Sequence, residues 1–246
     1  MGAEGEFGVT DPDRAGLPGE LYDIARTKAP QYNEPPSVIR RRKVFVGVVL
    51  LIGGSLLGYS LSRPPGDATF IWLTLALAAV WTLGAFASGP LHLGHVHFRG
   101  RNQRPVITGT AVGLALGGVF VVGGLICRQI PGVSDYITRV LEYSNVGPLW
   151  LVVFITVVNG MAEELFFRGS LYTALAKYRP ALVSTVLYVI ATGAATGNPM
   201  LGFAAIILGT VCALERRATG GVLAPMITHF LWGLIMVLAL PPIFGV

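Results

Sequence analysis

Charge is scarce in this chain. Only 13% of its 246 residues are Asp, Glu, Lys or Arg, against about 25% in soluble domains. Acids are the scarcest after the first 39 residues, where only Asp67, Asp135, Glu142, Glu163, Glu164 and Glu215 occur. An ordinary soluble domain is excluded. Also absent are His-Glu-x-x-His of zinc proteases, Gly-x-Ser-Gly of a membrane serine nucleophile and Gly-x-Gly-Asp of a membrane aspartyl protease. No basic stripe with interleaved aromatics is present, so nucleic acid is excluded as a partner.

What is abundant is apolar length. The chain is 53% hydrophobic with a mean hydropathy of +0.65. Apolar runs cover 44–62, 69–88, 106–126, 147–168, 180–197, 199–214 and 221–242, and about 20 such residues span a bilayer as a helix. The expected fold is therefore all-α: a polytopic membrane bundle of about seven transmembrane helices, with six to eight compatible with the pattern. It occupies 40–246. Residues 1–39 carry seven acidic and three basic residues and too few apolar groups to fold alone, so a disordered polar tail is expected, with a short helix through Glu20–Thr27. The first residues show no basic start leading into an apolar signal core.

Basic residues orient the bundle. Arg40, Arg41, Arg42 and Lys43 precede the first run. With seven spans, Arg99, Arg101, Arg104, Arg168, Lys177, Arg179, Arg216 and Arg217 fall on the same side, while Arg63, Arg128 and Arg139 fall on the other. Twelve against three predicts a cytoplasmic N-terminus and an integral protein of the plasma (inner) membrane, with membrane lipids as neighbours. Cys127 and Cys212 then lie about a bilayer apart, too far for a disulfide. Residues 132–144 read as an amphipathic surface helix, with Val133, Ile137, Val140 and Leu141 on one face. Gly109, Gly113 and Gly117, Gly54 and Gly58, and Gly193 and Gly197 repeat at the spacing that lets helices approach closely. His92, His95 and His97 read as interfacial histidines in a loop.

Glu163, Glu164 and Arg168 lie at the end of the fourth apolar run. A charge in hydrocarbon costs from about 2.5 to well above 10 kcal/mol, so such residues point to function. Glu164 and Arg168 are i and i+4, the favourable order for a pair. Glu163 points about 100° away and is the freer carboxylate, with Asn159 one turn earlier. His229 lies about eight residues into the last run. A carboxylate and a histidine from different helices can activate water or ligate a metal; a histidine bonded to a carbonyl freed by Pro225 is the structural alternative. Ser184, Tyr188 and Thr192 form a hydroxyl stripe, with Thr185 beside it, that lines a polar cavity or holds helices together.

The run Glu163-Glu164-Leu-Phe-Phe-Arg168-Gly-Ser-Leu-Tyr resembles the Glu-Glu-x-x-x-Arg motif of the CPBP family of CAAX prenyl endopeptidases and bacteriocin-processing or immunity membrane proteins. Glu215-Arg216-Arg217-Ala-Thr-Gly-Gly-Val-Leu-Ala-Pro225-Met-Ile-Thr-His229 looks like the approach to that family's last motif histidine. The resemblance covers about 147–240. It implies an intramembrane endopeptidase that hydrolyses a membrane-anchored peptide or protein with a glutamate-activated or metal-bound water. Glu163, Glu164, Arg168 and His229 would be the catalytic residues, and Asn159, Tyr188 and Thr192 would line the substrate cavity. A divalent metal such as zinc would be held by Glu163, Glu164 and His229. Two positions depart: Thr192 stands where the family's second motif has histidine, and Gly233 where its third has asparagine. The alternative implied is a non-catalytic member that binds peptide, lipid or partner subunits.

Overall fold

In lipid a backbone polar group must be satisfied within its own segment, so long apolar runs become helices. The computed structural model describes residues 26, 28–29, 34–98, 101–194 and 197–246. Among the described residues six helices are long and apolar enough to cross a bilayer: Pro36–Leu61 (α1), Ala68–Ser88 (α2), Val106–Cys127 (α3), Leu149–Ala174 (α5), Pro199–Thr219 (α7) and Leu223–Phe244 (α8). Val133–Leu141 (α4) lies outside these, among the residues read as a surface element. The expected tail lies mostly outside the described residues, as does the helix at 20–27 apart from Arg26, which is helical.

The run at 180–197 makes a shorter helix than its hydropathy suggests. It forms Pro180–Val189 (α6), which continues in a wider π turn through Ile190–Ala194. The apolar stretch Pro180–Gly193 reaches about 21 Å at 1.5 Å per residue, short of the roughly 30 Å hydrocarbon core. Gly197, at a φ of +62°, turns the chain. Asn198 then caps α7 by accepting from Met200 N at 2.9 Å. The architecture is thus an all-α membrane bundle of six long helices and a shorter one. Large apolar side chains face outward, Leu51 at 74% and Trp72 at 73% exposure, as a lipid-facing surface requires.

Close packing is local and glycine-dependent. A Cβ at Gly109 would lie 2.7 Å from Ala224 O, and one at Gly113 would lie 3.0 Å from Thr228, so α8 lies directly on the small-residue face of α3. Gly193 likewise abuts Gly202. The pattern at Gly54 does not serve this purpose: Gly54 faces open space, and Gly53 is the contact, against Trp81. One residue along a helix is a 100° turn, so the spacing alone left the contacting face undetermined. Trp81 packs its ring on Phe166 and Phe167 of α5, with centroids 4.6 and 5.2 Å apart, fixing α2 to the helix that carries the acids.

One end of the bundle gathers the basic residues. Buried Arg42 clasps Glu34 at 2.5 and 3.0 Å, Ser88 Oγ at 3.1 Å and Pro90 O at 2.9 Å, joining the start of α1 to the end of α2. The histidine-bearing stretch read as a loop contains a short antiparallel hairpin, Val96–Phe98 (β1) with Arg101–Gln103 (β2). Its approach holds the α7–α8 turn: His95 N donates to Thr219 O, and Val222 N to His92 O, both at 2.9 Å. The start of α8, and with it His229, is positioned from outside the bundle. At the opposite end the Tyr143 hydroxyl lies 2.8 Å from Leu61 O and 2.7 Å from Arg63 O. Both cysteines are free.

Candidate active site

The site is built on α5, where an α-helix through Glu164 gives way to a π turn at Leu165–Leu171. Such wider turns are rare and frequent at functional sites. The face Thr156, Gly160, Glu164 points at α8. At Gly160 a Cβ would come within 2.9 Å of His229 Cδ2; the missing side chain lets the imidazole rest against α5. One turn further on, Glu164 Oε1 meets His229 Nδ1 at 2.9 Å and Arg168 Nη1 at 3.1 Å. A carboxylate only accepts, so Nδ1 donates this bond, and in the neutral ring Nε2 then presents its lone pair. Nε2 makes no protein hydrogen bond among the described residues.

Arg168 is fully buried. Its Nη2 donates to Gly209 O of α7 at 2.9 Å, and its guanidinium lies 4.6 Å from the centroid of the Tyr188 ring, a cation–π contact. Its own carbonyl accepts from Arg216 Nε at 2.7 Å. The arginine thus ties α5 to α6 and α7, while Glu164 ties it to α8.

Glu163 is differently placed. It is half-buried and accepts one hydrogen bond, from the Tyr188 hydroxyl to Oε2 at 2.9 Å. Its Oε1 has no protein hydrogen bond among the described residues. Asn159 turns its Nδ2 back to Ile155 O at 2.8 Å, and its buried Oδ1 has no partner. Thr192 is half-buried and makes no hydrogen bond to these groups among the described residues. At Gly233 a Cβ would meet only the Thr156 methyl, at 3.5 Å. Thr185 bonds back to Ala181 O at 2.8 Å and reaches Gly209 O at 3.2 Å, so that part of the hydroxyl stripe holds helices together.

The residues do not form the metal site that Glu163, Glu164 and His229 were expected to supply. Among the described residues no group of three or more His, Cys, Asp and Glu is arranged to hold an ion, His92, His95 and His97 included. Glu164 Oε1 and His229 Nδ1 face each other, and Oε1 also meets Arg168, so these two ligating atoms are directed at one another.

Sequence reasoning passed over Glu215. It is buried on α7, its Oε1 2.8 Å from Thr228 Oγ1, and that hydroxyl also lies 3.1 Å from Gly109 O. Its signal was the one that marked the pair: an acid in an apolar run. Gly160 and Gly209, which admit the histidine and the arginine, gave no signal beyond being small.

The class this defines is a polytopic membrane helix bundle with an acid pair, an arginine and a histidine gathered toward its basic end. Residues 145–235, a segment that carries all four residues, match the family model described as type II CAAX prenyl endopeptidase Rce1-like. No curated protein and no solved structure matches the chain.

Proposed function

We propose that the chain is an intramembrane endopeptidase that hydrolyses a membrane-anchored peptide with a water activated by Glu163. The observation that carries this reading is the inequality of the two acids. Glu164 is fully buried, its Oε1 held by Arg168 and His229 and its Oε2 enclosed without a partner, whereas Glu163 is half-buried and its Oε1 makes no protein hydrogen bond among the described residues. Glu163 takes a proton from water as the water oxygen attacks the peptide carbonyl. It then passes that proton to the amide nitrogen as the C–N bond breaks. Tyr188 holds the carboxylate through Oε2, and His229, fixed in one tautomer by Glu164, offers Nε2 as a second acceptor that orients the water. A general base of this kind contributes about 10²–10⁴-fold to rate. No step is routed through a metal, because the donor set does not converge.

The twelve-to-three distribution of basic residues supports a cytoplasmic N-terminus and a site opening toward the cytoplasm. The name of the matching family suggests a prenylated C-terminal peptide as the first substrate to try.

The test is cleavage of a quenched-fluorescent prenylated peptide by the full-length protein in proteoliposomes. Turnover by the wild type that is lost in Glu163→Gln is the expected result. Equal turnover in both would remove Glu163 from the mechanism. A wild type inactive on a panel of membrane-anchored peptides would favour the second reading, a non-catalytic member that binds peptide, lipid or a partner subunit. That reading draws on Gly233, which places no polar group beside Thr156, and on Thr192, which does not reach the acids.

A further inference from the structure

One buried acid takes no part in the chemistry written for Glu163. Glu215 lies on α7 inside the bundle, with its Oε1 2.8 Å from Thr228 Oγ1 of α8. Its Oε2 is buried without a partner. Among the described residues Glu215 makes no ion pair. Arg216 and Arg217 follow it in sequence but leave α7 about 100° and 200° further round. Helix α3 carries no charged residue, and His229 is the one titratable group of α8. From α5, Glu164 and Arg168 act on Glu215 with opposite charges, and Arg168 is committed to Glu164 and to Gly209 O.

The count of hydrogens bears on the form of this acid. The Thr228 hydroxyl has one proton and faces two oxygens, Glu215 Oε1 and, at 3.1 Å, Gly109 O of α3. A backbone carbonyl only accepts, and so does a carboxylate. With an ionised Glu215, one of the two contacts would hold no proton. With a neutral Glu215 both are filled: the acid donates to Thr228 Oγ1, and Thr228 donates to Gly109 O. An uncharged acid also escapes the heavy cost of burying a charge that nothing pairs.

This chain of two bonds meets α8 one residue before the catalytic histidine. Thr228 is wholly enclosed, and its backbone lies against Gly113, where a Cβ would come within 3.0 Å of it. Helix α8 is thus held at Thr228 by α3 and by α7. One residue on, about 100° round the helix, His229 Nδ1 meets Glu164 Oε1 at 2.9 Å. A turn of α8 about its axis would break both contacts together.

We propose that Glu215 is a neutral carboxylic acid that, through Thr228, sets the rotation of α8 and so holds His229 against Glu164. It is a positioning residue, touching neither the water nor the peptide. Its effect on rate rests on the peptidase reading of the site; its protonation and its hold on His229 do not.

The experiment uses the full-length protein in lipid nanodiscs at neutral pH, with thermal melting to confirm that each variant is folded. Infrared difference spectra of the wild type against Glu215→Gln should show the C=O stretch of a protonated carboxylic acid, lost in the variant. NMR of isotope-labelled histidine, with His229 assigned by His229→Gln, reads the Nδ1 contact. Its signal should persist in Glu215→Gln, whose amide still donates to Thr228, and should shift and broaden in Thr228→Val and Glu215→Ala. Glu215→Ala should lower kcat for peptide cleavage by up to about tenfold with KM little changed, the effect of a lost hydrogen bond. Glu215→Gln should recover most of that loss. A lost carboxylate band in place of the acid band would overturn the neutral form. An unchanged His229 signal in folded Thr228→Val would overturn the positioning role. A wild type that cleaves no peptide would remove the peptidase reading alone, and the two spectra would still decide this assignment.

Discussion

Helix α5 presents two sides that differ in almost every respect. Toward α8 it offers Gly160 and Glu164, where a carboxylate, an imidazole and a guanidinium interlock with no exposure at the acid. Toward α6 it offers Glu163, half-buried, with one phenol as partner. Neighbouring residues of the same chemical type thus meet opposite surroundings 100° apart. The closed side holds helices; the open side leaves Glu163 Oε1 without a protein hydrogen bond among the described residues.

Substitutions can break that contrast from either side. The largest effect is expected for Glu164→Ala, which leaves the Arg168 guanidinium buried with its acid gone. Loss of one partner of a buried pair costs about 3–5 kcal/mol, so thermal melting of the purified protein should drop sharply and peptide cleavage should vanish with it. Glu163→Gln should instead leave the melting temperature unchanged and lower the cleavage rate about 10²–10⁴-fold; a comparable loss of stability would abolish the distinction. Gly109→Leu drives a side chain into the Ala224 backbone and should cost about 1–3 kcal/mol, displacing α8 and His229. Gly118→Leu on the same helix, where a Cβ meets nothing within 4 Å, should melt like the wild type. The smallest effect is expected for Tyr188→Phe. Losing a hydrogen bond to a charged group is worth about 1.5 kcal/mol at the low end, or roughly a tenfold fall in kcat, with KM and melting little changed.

Much of the architecture was legible because membrane helices announce themselves by length and hydropathy. The i,i+4 relation of Glu164 to Arg168 was legible too, since it needs only helical geometry. The partner of His229 was not. It depends on how α8 is rotated against α5, and that rotation is set by Gly160, whose role appears only once the imidazole is in place. The run at 180–197 is longer than its helix because hydropathy does not register where the backbone geometry changes: the described helix and π turn end at Ala194, ahead of the turn at Gly197. Gly53 and Gly54 show the same limit: adjacent glycines are equivalent as letters but lie a quarter-turn or more apart on the cylinder.

The wide turn at Leu165–Leu171 also bears on how the sequence tolerates changes in length. A π turn holds about one residue more than the α turn it replaces, so α5 carries a surplus where the arginine sits. A single-residue deletion C-terminal to Arg168 within this stretch should therefore be absorbed by tightening to ordinary α geometry. The same deletion between Glu164 and Arg168 would swing the guanidinium about 100° around the helix and away from its carboxylate. Two shortenings of equal size, a few residues apart, should give one intact bundle and one with a buried acid left alone.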